Sequence, residues 1–116
     1  MTTAEIARKM VSYSNGNRHD VNHFMKVYAF AKTIGECEGL DKAAQDILEI
    51  AALVHDIACP LCREKYGNTN GKYQELEGPA LVRDFLLDSG LTKSQRARFF
   101  LSRRSRSAGT PPCPAA

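Results

Sequence analysis

The sequence has no apolar run approaching the length that a membrane-spanning helix needs. Its first ten residues, MTTAEIARKM, also lack the long apolar run of a secretory signal peptide, so we expect a cytoplasmic protein with no membrane partner. The four cysteines, at positions 37, 59, 62 and 113, are too irregularly spaced to suggest a disulfide framework. No useful stretch alternates polar and apolar residues with the period of a half-buried strand. A chain of 116 residues without these features is expected to be one helical domain.

Acidic residues are absent from the last part of the chain. Residues 1–92 hold 10 Lys or Arg against 13 Asp or Glu, whereas residues 93–116 hold 6 Lys or Arg and no acid. The net charge of +3 is therefore the sum of two unlike pieces, −3 and +6. For this reason the overall basic charge does not indicate that the folded part binds nucleic acid.

Helix start and stop signals divide the chain into about five helices. Thr2 and Glu5 have the spacing of a capping box and predict a first helix that runs to about Tyr13. Residues 60–76, which include GNTNG, are predicted to form a polar loop. The other signals predict a second helix from Asn17 or Asp20 to Gly39, a third from Asp41 to about Cys59-Pro60, a fourth from Gly78-Pro79 to Ser89, and a fifth from Lys93 to about Leu101, capped by Thr92.

The predicted fold is all-α, a compact bundle of about five helices over residues 1–101. Its third helix contains the run ILEIAALV, which is apolar nearly all round and is therefore expected at the centre of the bundle. Residues 102–116 are rich in Arg, Ser, Pro and Ala and lack helical periodicity. A segment of that composition cannot bury apolar surface, so it is predicted to be a disordered basic tail.

The third helix ends in a His-Asp pair, His55 and Asp56. An ionised Asp beside a buried run and near a helix C-terminus is disfavoured by lost hydration and by the helix dipole. A divalent cation compensates for both effects, and the neighbouring His is a natural second ligand. A capping Asp beside a His at the edge of the core explains the local pattern about as well. A second His-Asp pair, at residues 19–20, shows that the dipeptide alone is weak evidence.

The wider pattern resembles the HD-domain superfamily of metal-dependent phosphohydrolases. The second helix carries D-x-x-H-x-x-x-V-x-x-x-A over residues 20–31, and some twenty residues later the buried run AALVHDI closes the third helix. The resemblance covers about residues 4–92. It implies that His23, His55 and Asp56 bind one or two divalent metal ions, with Asp56 as the catalytic carboxylate able to bridge two of them. Mixed His and carboxylate ligands suit Mn, Fe, Ni, Co or Mg, and the sequence does not choose among these metals.

The activity implied by the resemblance is hydrolysis of a small phosphate ester by metal-activated water, with nucleotides among the candidate substrates. Arg63, Lys65 and Lys72 follow the His-Asp pair along the chain. They are candidates to hold the substrate phosphate, and simple solvation at the surface is the alternative for each.

Three further residues are weaker candidates. Cys59 and Cys62 form a C-x-x-C motif, but a second ligand pair for zinc and the βαβ setting of a redox pair are both missing from the sequence. Buried or reactive thiols are the other interpretation. His19 is expected to be an exposed or capping residue rather than a ligand.

The sequence departs from the family at its end. The family closes its metal site with a further Asp on a later helix, whereas here Asp84 and Asp88 are the last acids and both precede the stop at Ser89. No His follows His55. The resemblance therefore implies an HD-like domain that is incomplete at its C-terminal end, with weak activity or none.

Two hypotheses explain the tail. Arg, Pro, Ala, Gly and Ser dominate when GC-rich DNA is translated out of frame. The first hypothesis is therefore a truncated or frame-shifted HD protein whose reading frame is lost between about residues 96 and 102. The rival is a natural basic tail that binds RNA or an acidic partner, although no aromatic residue follows Phe100 to stack on bases. The corresponding alternative function is a non-catalytic helical module for metal, ligand or partner binding. Missing C-terminal helices also expose core surface, which favours self-association.

Overall fold

Five α-helices account for most of residues 1–96, the part of the chain that this computed structural model describes. They are α1 Thr3–Tyr13, α2 Arg18–Cys37, α3 Lys42–Val54, α4 Cys59–Tyr66 and α5 Gly71–Phe85. No strand occurs within residues 1–96, so the predicted all-α fold is confirmed. Over the same residues, no helix has both the length and the apolar character that crossing a membrane requires.

The first three helices begin where the capping signals predict. Thr2 and Glu5 form a capping box, in which the Thr2 hydroxyl accepts from the Glu5 N–H and the Glu5 carboxylate accepts from the Thr2 N–H. Of the two candidates for the second helix, Asn17 is the cap, because its side chain accepts from the Asp20 N–H at 3.0 Å. Asp41 caps α3 through the Ala44 N–H at 2.8 Å.

The boundaries after α3 differ from the prediction. The segment predicted as a polar loop, residues 60–76, contains α4 and the first part of α5. The third helix ends at Val54, before the predicted Cys59-Pro60. Pro60 instead lies in the first turn of α4, where its missing N–H costs nothing. Likewise Pro79 lies inside α5 and does not start it, since that helix already begins at Gly71.

The last described residues begin another helix. Residues 93–96 are helical, and Thr92 and Gln95 exchange two capping hydrogen bonds of 3.1 and 2.8 Å, so the predicted cap at Thr92 is confirmed. The rest of the predicted fifth helix, the domain boundary at residue 101 and the predicted disordered tail over residues 102–116 lie outside the described residues.

The core forms around α3. Its buried residues Ile50, Leu53 and Val54 belong to one apolar cluster with residues of α1, α2 and α5. The cluster members from the other helices are Ile6, Ala7, Met10, Phe24, Val82 and Phe85. Burial of these side chains is the main favourable term in the stability of the fold. As a consequence, the residues that directly follow α3 are held against α1 and α2.

Gly35 on α2 lies directly against the Gln45 side chain of α3. A β-carbon added at this position would clash with Oε1 of Gln45. The Gln45 amide is itself fixed, because its Nε2 donates to the Lys32 carbonyl at 3.2 Å and to Oε2 of Glu49 at 2.6 Å. Glu49 is 4% exposed, so its carboxylate depends on this amide. The missing side chain of Gly35 therefore makes room for a buried polar contact that aligns the two helices.

This contact yields the first prediction. Gly35→Ala displaces the Gln45 amide and weakens a hydrogen bond to a buried charge, which costs about 1.5–3 kcal/mol, while the better helix propensity of Ala returns about 1 kcal/mol. We expect a net loss of about 0.5–2 kcal/mol in the free energy of unfolding, measured by urea denaturation. In a Gln45→Ala background the same change has no amide to displace, so Gly35→Ala becomes stabilising. Equal effects in both backgrounds contradict the proposed role of Gly35.

Candidate metal centre

The three ligands predicted from the sequence meet at one end of the helix pair α2 and α3. His23 lies in the second turn of α2, His55 is the C-cap residue of α3, and Asp56 follows it. One ligand atom from each residue can be chosen so that all three lie within 4.8 Å of one another. Packing of the buried α3 against α2 is what carries the His-Asp pair to His23, 32 residues away in the chain.

The three ligand atoms form a nearly regular triangle. Oδ2 of Asp56 is 2.9 Å from Nε2 of His23 and 3.1 Å from Nε2 of His55, and the two nitrogens are 3.3 Å apart. Ligands at about 2.1 Å from one ion are about 3.0 Å apart when they meet at right angles and about 3.4 Å apart at the tetrahedral angle. The observed spacing thus fits three ligands on one face of a single divalent ion, which leaves the opposite face open.

A backbone carbonyl orients the His55 ring. Nδ1 of His55 lies 2.6 Å from the carbonyl oxygen of Ala52. A carbonyl oxygen only accepts, so Nδ1 carries the proton, and in the neutral ring the lone pair is on Nε2. Histidines that bind metals usually donate their other ring N–H in this way. The Nε2 lone pair of His55 therefore faces the other two ligand atoms.

This arrangement brings the lone pair of His55 Nε2 close to a carboxylate oxygen of Asp56. The His55 Nε2 lone pair and a carboxylate oxygen of Asp56 repel each other at 3.1 Å unless a positive charge or a proton lies between them. Either a proton on Nε2 of His23, shared with both neighbours, or a metal cation removes this repulsion. The residues present therefore suit a cation, and a hydrogen bond donated by Nε2 of His23 is the competing arrangement.

A small surface cavity gives access to the cluster. Asp20, His23 and Asp56 line its polar side. Its other lining residues are Met10, Tyr13, Ser14, Phe24, Leu53, Ile57 and Pro60, most of them apolar. The side chain of His23 is 50% exposed and that of His55 is 18% exposed, so solvent reaches the cluster from the α2 side.

The three residues predicted to hold a phosphate lie in different places. Arg63 donates to Oδ2 of Asp20, which lines the cavity, and this hydrogen bond is the largest cause that raises the pKa of the Arg63 guanidinium. Lys65 bonds Glu77 at 3.1 Å, and Lys72 lies 4.9 Å from the centre of the Tyr73 ring. Of the three, Arg63 is the one that contacts a cavity residue.

His19, which was expected to be an exposed or capping residue, is exposed on α2. Asp88, one of the two late acids, bonds Lys9 at 2.7 Å. Asp20, which lines the cavity, was not among the predicted site residues. Its spacing of three from His23 on a helix was the available signal, because residues three apart share a helix face.

Cys59 and Cys62 lie one turn apart on α4. Neither belongs to a group of three possible metal ligands among the described residues. Burial, and next the negative charge of Asp56, raise the pKa of the Cys59 thiol from its ordinary value of 9.0 to about 11. Burial also raises the pKa of the Cys62 thiol. Both side chains are therefore protonated at neutral pH.

The second prediction concerns these thiols. In a Cys37→Ser, Cys113→Ser variant, we expect Cys59 to react with iodoacetamide at pH 8 about 100-fold more slowly in the folded protein than in urea, since thiolate is the nucleophile. Cys62 should also react more slowly in the folded protein. Because the Cys59 pKa is raised, its rate keeps increasing as the pH approaches about 11. Fast alkylation of both thiols in the folded variant at pH 8 contradicts this assignment.

Comparison with known proteins assigns no family to the chain. No protein-family model matches it, and no curated protein and no solved structure matches it either. The geometry of the site itself therefore carries the functional argument.

Proposed function

We propose that the chain binds a divalent metal ion through His23, His55 and Asp56 and is an HD-type metal-dependent phosphohydrolase. The observation that carries the proposal is the convergence of the three ligand atoms, at 2.9, 3.1 and 3.3 Å, with the His55 ring oriented by a backbone carbonyl. A mere surface ion pair does not require two imidazole nitrogens and a carboxylate oxygen to face one another.

The donor set fits several metals. Two imidazoles and one carboxylate are acceptable to Mn, Fe, Ni and Co, and less so to Mg, which prefers oxygen ligands. A bound ion of this kind polarises a phosphate ester and generates hydroxide near neutral pH. Asp56 has a second carboxylate oxygen, so it can hold a water molecule or bridge to a second ion.

The substrate proposed for this site is a small phosphate ester. The cavity beside the cluster is small and mostly apolar apart from Asp20, His23 and Asp56, which favours a small substrate over a macromolecule. Arg63 is the cation best placed to meet a phosphate, because its side chain is 42% exposed and lies at the cavity through Asp20. The absence of the acid that closes the site in the HD family supports weak hydrolysis or none.

Removal of one ligand tests the metal site and gives the third prediction. We expect His55→Ala to weaken Mn²⁺ binding by more than about 100-fold in isothermal titration calorimetry, since changes to the groups that merely support ligands already cost about 10- to 100-fold. His19→Ala is the matched control, because it removes an exposed imidazole from the neighbouring helix. If His55→Ala binds Mn²⁺ as the parent chain does, the ligand assignment is wrong.

Phosphate release separates catalysis from binding alone. Mn²⁺-dependent hydrolysis of a generic phosphate ester that is lost in His55→Ala supports the hydrolase. Metal binding without any such hydrolysis instead supports the non-catalytic metal-binding module.

A further inference from the structure

Asp20 shares the cavity with two of the proposed metal ligands. It precedes His23 by three residues on α2, so the two side chains lie on one helix face, with β-carbons about 5–6 Å apart. Its side chain is only 14% exposed, and it lines the cavity together with His23 and Asp56. An acidic residue and a His three apart on a helix are a ligand pair that helical metal sites use repeatedly.

A positive charge already holds Asp20. The guanidinium of Arg63, on α4, donates to Oδ2 of Asp20 across 43 residues of sequence. Within residues 1–96, no hydrogen-bond donor contacts the other oxygen, Oδ1. Asp20 is not in the group whose ligand atoms all lie within 4.8 Å, so in this arrangement its carboxylate is directed to Arg63 rather than to the cluster.

Charge balance favours the transfer of the Asp20 carboxylate from Arg63 to the metal ion. With both histidines neutral, a divalent ion at the cluster meets only the single negative charge of Asp56, and an excess of one positive charge remains. A second carboxylate neutralises that excess in a partly buried place, where charges interact more strongly than in water. Arg63 loses little when it releases Asp20, because its side chain is 42% exposed and solvent can take up its charge.

We propose that Asp20 is a further metal ligand and that Arg63 competes with the metal ion for it. This inference rests on the proposed metal site and adds to it an acid that stands in for the one missing after Asp88. The Asp20–Arg63 pair then sets the affinity of the centre for its ion. A released Arg63 is also left at the cavity edge, where a phosphate can approach it.

Calorimetric titration of the whole chain with Mn²⁺ gives the fourth prediction. We expect Asp20→Asn to weaken binding by about 10-fold or more, as loss of one anionic ligand does. Arg63→Gln should tighten binding several-fold, because Asp20 no longer has a competing partner. Lys65→Gln is the matched control: it removes one positive charge from the same helix, but its partner is Glu77, so the affinity should change less than about two-fold.

The double variant separates competition from simple charge repulsion. If Arg63 acts through Asp20, the gain from Arg63→Gln disappears in an Asp20→Asn background. If the gain persists there, Arg63 acts only by its charge, and the competition is refuted. The Asp20→Asn loss should also persist at about 1 M KCl, where long-range attraction is screened. A loss that vanishes at high salt shows that Asp20 is no ligand.

Two outcomes distinguish this inference from the proposed metal-binding function on which it rests. If the parent chain binds Mn²⁺ and His55→Ala does not, while Asp20→Asn binds like the parent, the three-ligand site is supported and the inference about Asp20 is wrong. If the parent chain binds no Mn²⁺, the proposed metal site and the inference about Asp20 are both wrong. Circular dichroism in EDTA checks that each variant is folded. Should Asp20→Asn fail to fold, unchanged affinity in Arg63→Gln is by itself enough to overturn the inference.

Discussion

The antiparallel packing of α2 against α3 is the contact on which the rest of the structure depends. Gly35 meets Gln45 near the connection between the two helices, and His23 meets His55 at the other end. The two contacts are separated by 12 residues on α2 and 10 residues on α3, which are about 18 and 15 Å at the rise of an α-helix. The first contact therefore helps to set which α2 residue faces the His-Asp pair.

At the end of α3, the apolar packing that stabilises the fold conflicts with the hydration of the Asp56 carboxylate. The apolar residues Leu53 and Val54 hold the end of this helix in the core, and Ile57 continues the buried run beyond it. Between them, His55 and Asp56 must therefore stand at the core edge, where a carboxylate loses hydration and faces the negative end of a helix. A metal ion at the proposed site would relieve that cost, and its binding would then be thermodynamically linked to the stability of the α2–α3 pair.

The sequence predicted the first half of the fold better than the second. The caps at Thr2, Asn17 and Asp41 are short-range signals, and local side-chain chemistry decides them. Pro60 and Pro79 were interpreted as boundaries, yet one lies in a first turn and the other inside a helix, because tertiary packing decides which role a proline takes. The three proposed ligands were predicted through a family pattern. The Asp20–Arg63 pair could not be, since no local signal links residues that far apart.

The candidate site is compact in sequence as well as in space. Its three ligands lie within residues 23–56, and Asp20 extends it by only three residues towards the N-terminus. The α2 helix and the residues that directly follow α3 therefore carry all of them. An acid contributed by a later helix has to be carried to the site by additional packing, whereas one on α2 is already placed by the contact that brings His23 to His55. Ligands on a single helix pair thus make the centre depend on one interface, and whatever loosens that interface loosens every ligand together.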